Sequence, residues 1–389
     1  MIKRLLPVLS LTIFLILPLG LPIGCGKDAA PSAPVTVVVF GTATPSPTPA
    51  YSAAATWVNV GNPGFSAGQA NYISMAISNG NPYVAYEDYG NSGKATVMSY
   101  NGSSWANVGS PGFSAGDLQY CSLAFSNGTP YLAYTDSVDL YKGKLAVYNG
   151  SSWTSVGSLT FTPAQAAFVS LAFSNGSPYV SYYDIASSSK ATVMAYSGSS
   201  WITIGNPGFS ADIAQYTSLA FSNGTPYVAY TDWGNGQKAS VMAYNGSAWV
   251  NVGSAGFSAG AAPFTTLAFY NGTPYVAFMD GGNGNRATVM AYNGSSWVNV
   301  GSPGFSAGSV GYTSLAFSNG TPYVAYVDGA NGNKATVMAF NGILWVNVGN
   351  AGFSAGQAYY LSMAFSNGTP YVVYRDAGNS LKATVMKFQ

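Results

Sequence analysis

The chain has no histidine and a single glutamate, Glu87, among its 389 residues. The first absence excludes triads with a histidine base, histidine-ligated zinc and histidine general acids. The second removes ordinary glycosidase chemistry, which needs two acidic groups in different environments facing one site. Charge is scarce altogether, at 6% of residues with a net charge of +1. No basic field exists to hold nucleic acid, because counterion release needs clustered Lys and Arg. From these absences an enzyme is not expected, and no cofactor motif or metal site is expected either.

Cysteine is nearly absent as well. Cys25 and Cys121 lie in stretches of different character, so no disulfide is expected between them. Cys121 stands where comparable segments carry Ile73, Val169, Thr217 or Leu361, and reads as a small buried thiol. Past residue 24 no apolar run is long enough to cross a bilayer. Helical repeats are excluded by the 47 glycines and 21 prolines, while 15% aromatic content with abundant Val, Tyr and Thr favours short strands and tight turns.

What is present begins with a leader. Residues 1–24 open on Lys3 and Arg4, continue through an apolar run from Leu5 to Leu21, and end at Pro22-Ile23-Gly24 before Cys25, the order of a secretory signal. The small residue before a lone cysteine resembles the lipobox of bacterial lipoproteins, which implies lipidation of Cys25. Pro22 stands where that family prefers leucine, so a plain cleaved signal and an uncleaved anchor are the alternatives. Residues 25–55 form a Pro/Ser/Thr-rich linker centred on Thr44-Pro45-Ser46-Pro47-Thr48-Pro49, a semi-rigid spacer.

From residue 56 onward the chain repeats itself. Trp57, Trp105, Trp153, Trp201, Trp249, Trp297 and Trp345 are 48 residues apart without insertion or deletion, and seven aspartates from Asp88 to Asp376 keep the same interval. Within Gly311 to Gly349 four strands are predicted: Thr313–Ser318, Pro322–Asp328, Ala335–Asn341 and Trp345–Gly349. Asn319-Gly320-Thr321 and Asn341-Gly342 supply the positive φ of hairpin turns. Four antiparallel strands per unit of this length predict an all-β chain, a seven-bladed β-propeller of four-stranded blades. The first unit opens on its Trp strand and the last lacks one, so Trp57 to Gly61 is expected to complete the last blade beside Ala383 to Phe388.

In such a blade the first-to-second and third-to-fourth turns share one face and are nearly constant here. The second-to-third and blade-to-blade loops share the other, and there the copies differ. The residue before the repeated Asp is Glu87, Thr135, Tyr183, Thr231, Met279, Val327 or Arg375, and the next loop starts with Tyr89 in the first blade but Trp233 in the fourth. Loops on a rigid scaffold carry binding, which makes this the expected recognition face, drift on unconstrained loops being the alternative. The candidate ligand-binding residues are Glu87, Tyr89, Asp136, Tyr183, Asp184, Asp232, Trp233, Asp280, Asp328, Arg375 and Asp376. The structural account of the repeated Asp is an ion pair with the Lys or Arg six residues on, or a cap on loop amides. The functional account is calcium at Asp280-Gly281-Gly282-Asn283-Gly284-Asn285, disfavoured by the adjacent Arg286.

The Trp-led unit resembles the internally amplified propellers of bacteria and, more loosely, kelch-type and lectin-type propellers, over residues 56–389. No sugar-site or cofactor motif of those families is matched residue by residue. The propeller sialidases carry several arginines at the ring centre, whereas only Arg286 and Arg375 follow the leader here. The resulting expectation is a non-catalytic binding module, lipid-anchored at the bacterial cell envelope or surface and monomeric, with a glycan as its ligand. A protein-interaction scaffold for an envelope protein is the alternative.

Overall fold

The structure, a computed structural model, describes residues 55–389. The leader, the linker and Cys25 lie outside the described residues. The rest forms seven sheets of four antiparallel strands. The first blade runs Ala70–Ser78, Asn81–Asp88, Lys94–Tyr100 and Trp105–Asn107. In each blade the first strand touches the first strands of both neighbours, so the seven form a closed inner wall. The Trp-bearing strands are outermost.

The ring closes as the phase of the repeat predicted. Trp57–Asn59 pairs antiparallel with Lys382–Phe388, with Trp57 opposite Phe388 and Asn59 opposite Met386, completing the last blade. Two strand boundaries differ from expectation. The first strand of the sixth blade begins at Val310, three residues before Thr313, because the ladder continues past a bulge between Gly311 and Ser314. The Trp strand ends at Asn347, where the chain turns out toward Gly349 at φ 70°.

Blade-to-blade adhesion repeats at two radii. At the rim, each Trp indole donates to a backbone carbonyl of the preceding blade, Trp105 to Val60 and Trp57 to Val348, at 2.7 to 3.1 Å in all seven copies. Each indole also packs on a Phe from the connecting loop, with centroids 4.0 to 4.8 Å apart. Gly61, at φ 71°, lies under Trp105, where an added Cβ would meet the indole Cδ1 at 3.1 Å. At the inner wall, a serine hydroxyl accepts the backbone amide of the next blade. Ser74 takes Leu123, Ser122 takes Leu171, Ser170 takes Leu219 and Ser218 takes Leu267, all at 3.0 Å.

Between the two radii the blade faces are apolar. Val84, Ala85, Val97 and Leu132 are buried at the first interfaces, and equivalent small and branched residues recur around the ring. Cys121 belongs to this wall. Its thiol lies on the Tyr72 carbonyl of the neighbouring blade, and burial pushes its pKa up, so it stays a protonated, inert thiol.

Trp57 therefore contributes an indole–carbonyl bond, a stacked ring and the strand that completes the last blade beside Lys382–Phe388. Trp57→Ala is expected to cost about 3–5 kcal/mol. Trp153→Ala, inside one continuous blade, should leave the pairing of Trp57–Asn59 with the last strand intact. Urea unfolding combined with limited proteolysis checks this: early cleavage near residue 60 is expected only in Trp57→Ala.

Candidate functional site: the axial mouth of the variable face

Seven aromatic residues at the 48-residue interval meet on the axis: Tyr72, Tyr120, Phe168, Tyr216, Phe264, Tyr312 and Tyr360. Consecutive ring centroids are 4.7 to 5.3 Å apart, and the series closes between Tyr360 and Tyr72, so the rings form an unbroken collar. Six sit at the bulge of their inner strands and Phe264 lies just before the shorter first strand of the fifth blade, all with φ between 45° and 57°. Bulky side chains rarely adopt this left-handed conformation, and holding them there costs on the order of 1–3 kcal/mol each. A framework fixed on both flanks tolerates that strain, and in six blades the bulge turns the ring toward the axis. Four of the rings, Phe168, Tyr216, Phe264 and Tyr312, line a cavity of about 210 Å³ together with Val169, Thr217, Thr265, Thr266, Thr313 and Leu361.

The collar phenols are donors. Burial raises the pKa of Tyr72, Tyr120, Tyr216, Tyr312 and Tyr360, and neighbouring phenols add to the rise at Tyr72, Tyr120, Tyr312 and Tyr360. Tyr72 and Tyr360 also feel the charge of Glu87, and Tyr312 and Tyr360 that of Arg375, which places these two ionic residues beside the collar.

Glu87 and Arg375 come from adjacent blades on either side of the ring closure. Glu87 is 4% exposed and accepts from Asn71 Nδ2 at 2.8 Å. Burial lifts its carboxyl to about 7; the Asn71 hydrogen bond works against this, Asp117 adds to it and Arg375 opposes it. Arg375 donates from Nη2 to Gln69 Oε1 at 3.1 Å and lies 5.7 Å from the Tyr359 ring centre. Two buried polar atoms of this cluster, Asn71 Oδ1 and Arg375 Nε, have no hydrogen-bond partner. Tyr89, 55% exposed, stands beside Glu87. Tyr183 reaches the collar from the third blade, edge-on to Phe168 at 6.1 Å.

The repeated aspartates are elsewhere. Asp136, Asp184, Asp232, Asp280, Asp328 and Asp376 are 0–1% exposed, as is Asp88. Asp280 shows the pattern: Oδ1 accepts the Gly282 amide at 3.0 Å, while Oδ2 accepts Asn283 Nδ2 at 2.8 Å and Thr288 Oγ1 at 2.9 Å. Thr288 in turn accepts the Gly304 amide of the loop to the next blade. The carboxylate thus ties its own turn to the connecting loop, and the oxygens a calcium site would use are already engaged by donors. The ion pair with the Lys six residues on does not form. The ion pairs among the described residues are those of Lys144, with Asp136 at 3.0 Å and with Asp139. In the second blade Lys144 replaces the Thr or Ser whose hydroxyl bonds the aspartate elsewhere. Trp233, 42% exposed, stands on the fourth blade above Asp232, whose Oδ1 lacks the loop amide that caps it in the other blades.

Of the candidate residues, the structure gathers Glu87, Tyr89 and Arg375 into one cluster, sets Tyr183 on the collar and Trp233 apart, and turns the aspartates inward. The sequence reading passed over the collar; Gln69, Asn71 and Tyr359 fall at the varying end of the blade-to-blade loop that it placed on the recognition face, outside its candidate residues. The aromatic at 48-residue spacing was the available signal, hidden because its place in an alternating strand looked like core.

No family model matches the chain, and no curated protein matches it in sequence. Solved structures do share its fold. An ulvan lyase from a polysaccharide lyase family superposes with a TM-score of 0.55 at 15% identity, covering 82% of this chain and 94% of that one. A lectin from Burkholderia pseudomallei superposes with a TM-score of 0.55 at 15% identity, over 82% and 95% of the two chains. A Trypanosoma rangeli sialidase gives 0.50 at 11% identity, over 82% of this chain and 53% of its own.

These neighbours overturn the expectation that the chain is not an enzyme, since propellers of this shape include a lyase and a sialidase as well as a lectin. The composition argument covered histidine chemistry and carboxylate pairs only. A single buried carboxyl near neutrality, beside phenols and a guanidinium, falls outside that exclusion.

Two outcomes follow. The native Glu87 carboxyl holds a proton that the unfolded chain releases from about 4.5 upward, so its contribution to stability falls as pH rises from there through about 7. Glu87→Gln should remove that loss, and the stability difference between variant and wild type, followed by urea melts from pH 4.5 to 8, should grow with pH. Asp280→Ala should lower stability by about 2–4 kcal/mol by stranding three donors, while leaving ligand binding at the mouth unchanged.

Proposed function

We propose that this protein is a carbohydrate-binding propeller presented at a bacterial cell envelope, with the axial mouth of the variable face as its ligand site. One observation carries the reading: a closed aromatic collar whose phenols stay protonated is bordered by polar side chains, two of whose buried atoms lack a partner. Ligand sites commonly join an apolar, aromatic lining to a few convergent polar groups. Sugars match that composition, since their C–H faces lie on aromatic rings and their hydroxyls both donate and accept. The low net charge suits a ligand recognised by contact rather than by long-range attraction. The lectin and the polysaccharide lyase among the fold neighbours agree with this class of ligand. The leader and spacer of residues 1–55 support the envelope placement.

A second reading, a docking surface for an envelope protein, is favoured by a separate feature. Val138, Leu140, Leu159 and Ile185 are exposed in the second- and third-blade loops of the same face. At the first of these positions other blades carry Gly90, Ala186 or Gly282. Apolar loop tips suit a protein partner better than a sugar.

A glycan array with the full chain is expected to show saccharide binding that Tyr89→Ala weakens about ten-fold, the loss of one stacked ring and its edge contacts. An array blank at high protein concentration would sink the carbohydrate reading. Capture of one envelope protein, lost in Val138→Ser/Leu140→Ser, would put the second reading in its place.

A further inference from the structure

We propose that the ring holds one saccharide site, at the seam of the seventh and first blades, and that this site takes a neutral sugar between the donor of Arg375 and the acceptor of Asn71. The inference rests on the carbohydrate reading and narrows it. Seven repeats suggest seven equivalent sites, but the residues at the mouth are not equivalent. The pairs that face each other just above the collar are Asn71 with Glu87, Gln119 with Thr135, Ala167 with Tyr183, Gln215 with Thr231, Gly311 with Val327 and Tyr359 with Arg375.

Three of these pairs are closed. The Thr135 hydroxyl donates to the Gln119 carbonyl at 3.0 Å, and Thr231 to the Ala262 carbonyl at 2.6 Å. Val327 is buried and apolar. The seam differs. Asn71 spends its amide nitrogen on Glu87 and keeps Oδ1 open, while Arg375 spends Nη2 on Gln69 across the blade boundary and keeps Nε open. The remaining unpartnered buried atom among the described residues, Asp232 Oδ1, lies under the fourth-blade turn. Buried polar atoms are nearly always paired, so a donor and an acceptor left open together mark a place where a ligand supplies both partners.

The chemistry of the pair selects the ligand. A hydroxyl accepts from Arg375 Nε and another donates to Asn71 Oδ1, which a ring bearing neighbouring hydroxyls provides. A carboxylate accepts only, leaves Asn71 Oδ1 open, and brings negative charge next to Glu87 and Asp117, whose charges already act on each other. Tyr89 stands at the exposed edge of the same cluster, beside Glu87, where a sugar face can lie on it.

Isothermal titration of the full chain with neutral gluco-, manno- and galacto-oligosaccharides, and with oligouronates, tests this. The expected result is about one saccharide per chain, bound at least ten-fold more weakly by Asn71→Ala and by Arg375→Met and within about two-fold of wild type by Trp233→Ala. Gln69→Ala removes an exposed side chain and leaves the fold intact; it should weaken binding about three-fold by freeing Arg375. Saccharide binding at a stoichiometry near seven, or binding indifferent to Asn71, Gln69 and Arg375, overturns the seam site while the carbohydrate reading stands. Oligouronates preferred ten-fold at pH 8 overturn the neutral assignment. No binding by any member of either set, with Tyr89→Ala equally silent on the array, overturns both.

Discussion

The structure depends on the contact between one blade and the next. A four-stranded sheet of this composition has two apolar faces and cannot cover either by itself, so each blade is stable only between neighbours. The contact is secured at both radii. At the rim a tryptophan indole donates to the preceding blade and lies on a phenylalanine from the connecting loop. At the inner wall a serine hydroxyl receives the next blade's amide. Two anchors at different radii fix the angle between blades, and the rim anchor, present in all seven copies, makes that angle repeat until the ring closes. The latch of Trp57 on the seventh blade is the same contact made by the other end of the chain.

A frame this constrained holds conformations that an isolated strand would relax. The seven axial aromatics in left-handed backbone are the clearest case, since their strain persists only because both ends of each inner strand are pinned. The buried aspartates serve the frame too. All but Asp136, which Lys144 engages instead, link their turns through a hydroxyl to the loop that leaves for the next blade. With the loops tied down, side chains on the variable face change without disturbing the fold, and local departures accumulate there. Lys144 with its two aspartates, the apolar tips of the second and third blades and the polar seam of the seventh and first blades are all of this kind.

That division explains what could be read from residues alone. The tryptophan interval, the Asn-Gly turns and the missing eighth Trp strand were enough for blade count, strand order and latch, because they are local signals repeated seven times. Asp280 read two ways, as a cap on loop amides or as a ligand residue, because oxygen-rich loops look alike whether their carboxylate faces a ligand or its own turn; only hydrogen-bond partners distinguish the two, and they show the cap. Tyr72 and its equivalents were in plain view, yet a bulge has no signature in an alternating strand, and without it their rings read as core. Glu87 stood out as the sole glutamate, but nothing in its neighbours along the chain indicated Arg375, which is 288 residues away and comes from another blade.

The sequence by itself determined the architecture: seven equal units with two greasy faces have one economical way to cover them, and the phase of the repeat says where the circle is joined. Only the tertiary structure decided where chemistry is concentrated. Closure brings the first and last copies side by side, sets Glu87 and Asn71 against Arg375 and Gln69, and turns seven separate aromatics into one collar. Those contacts join residues distant in the chain, so their energies appear only when the circle is complete.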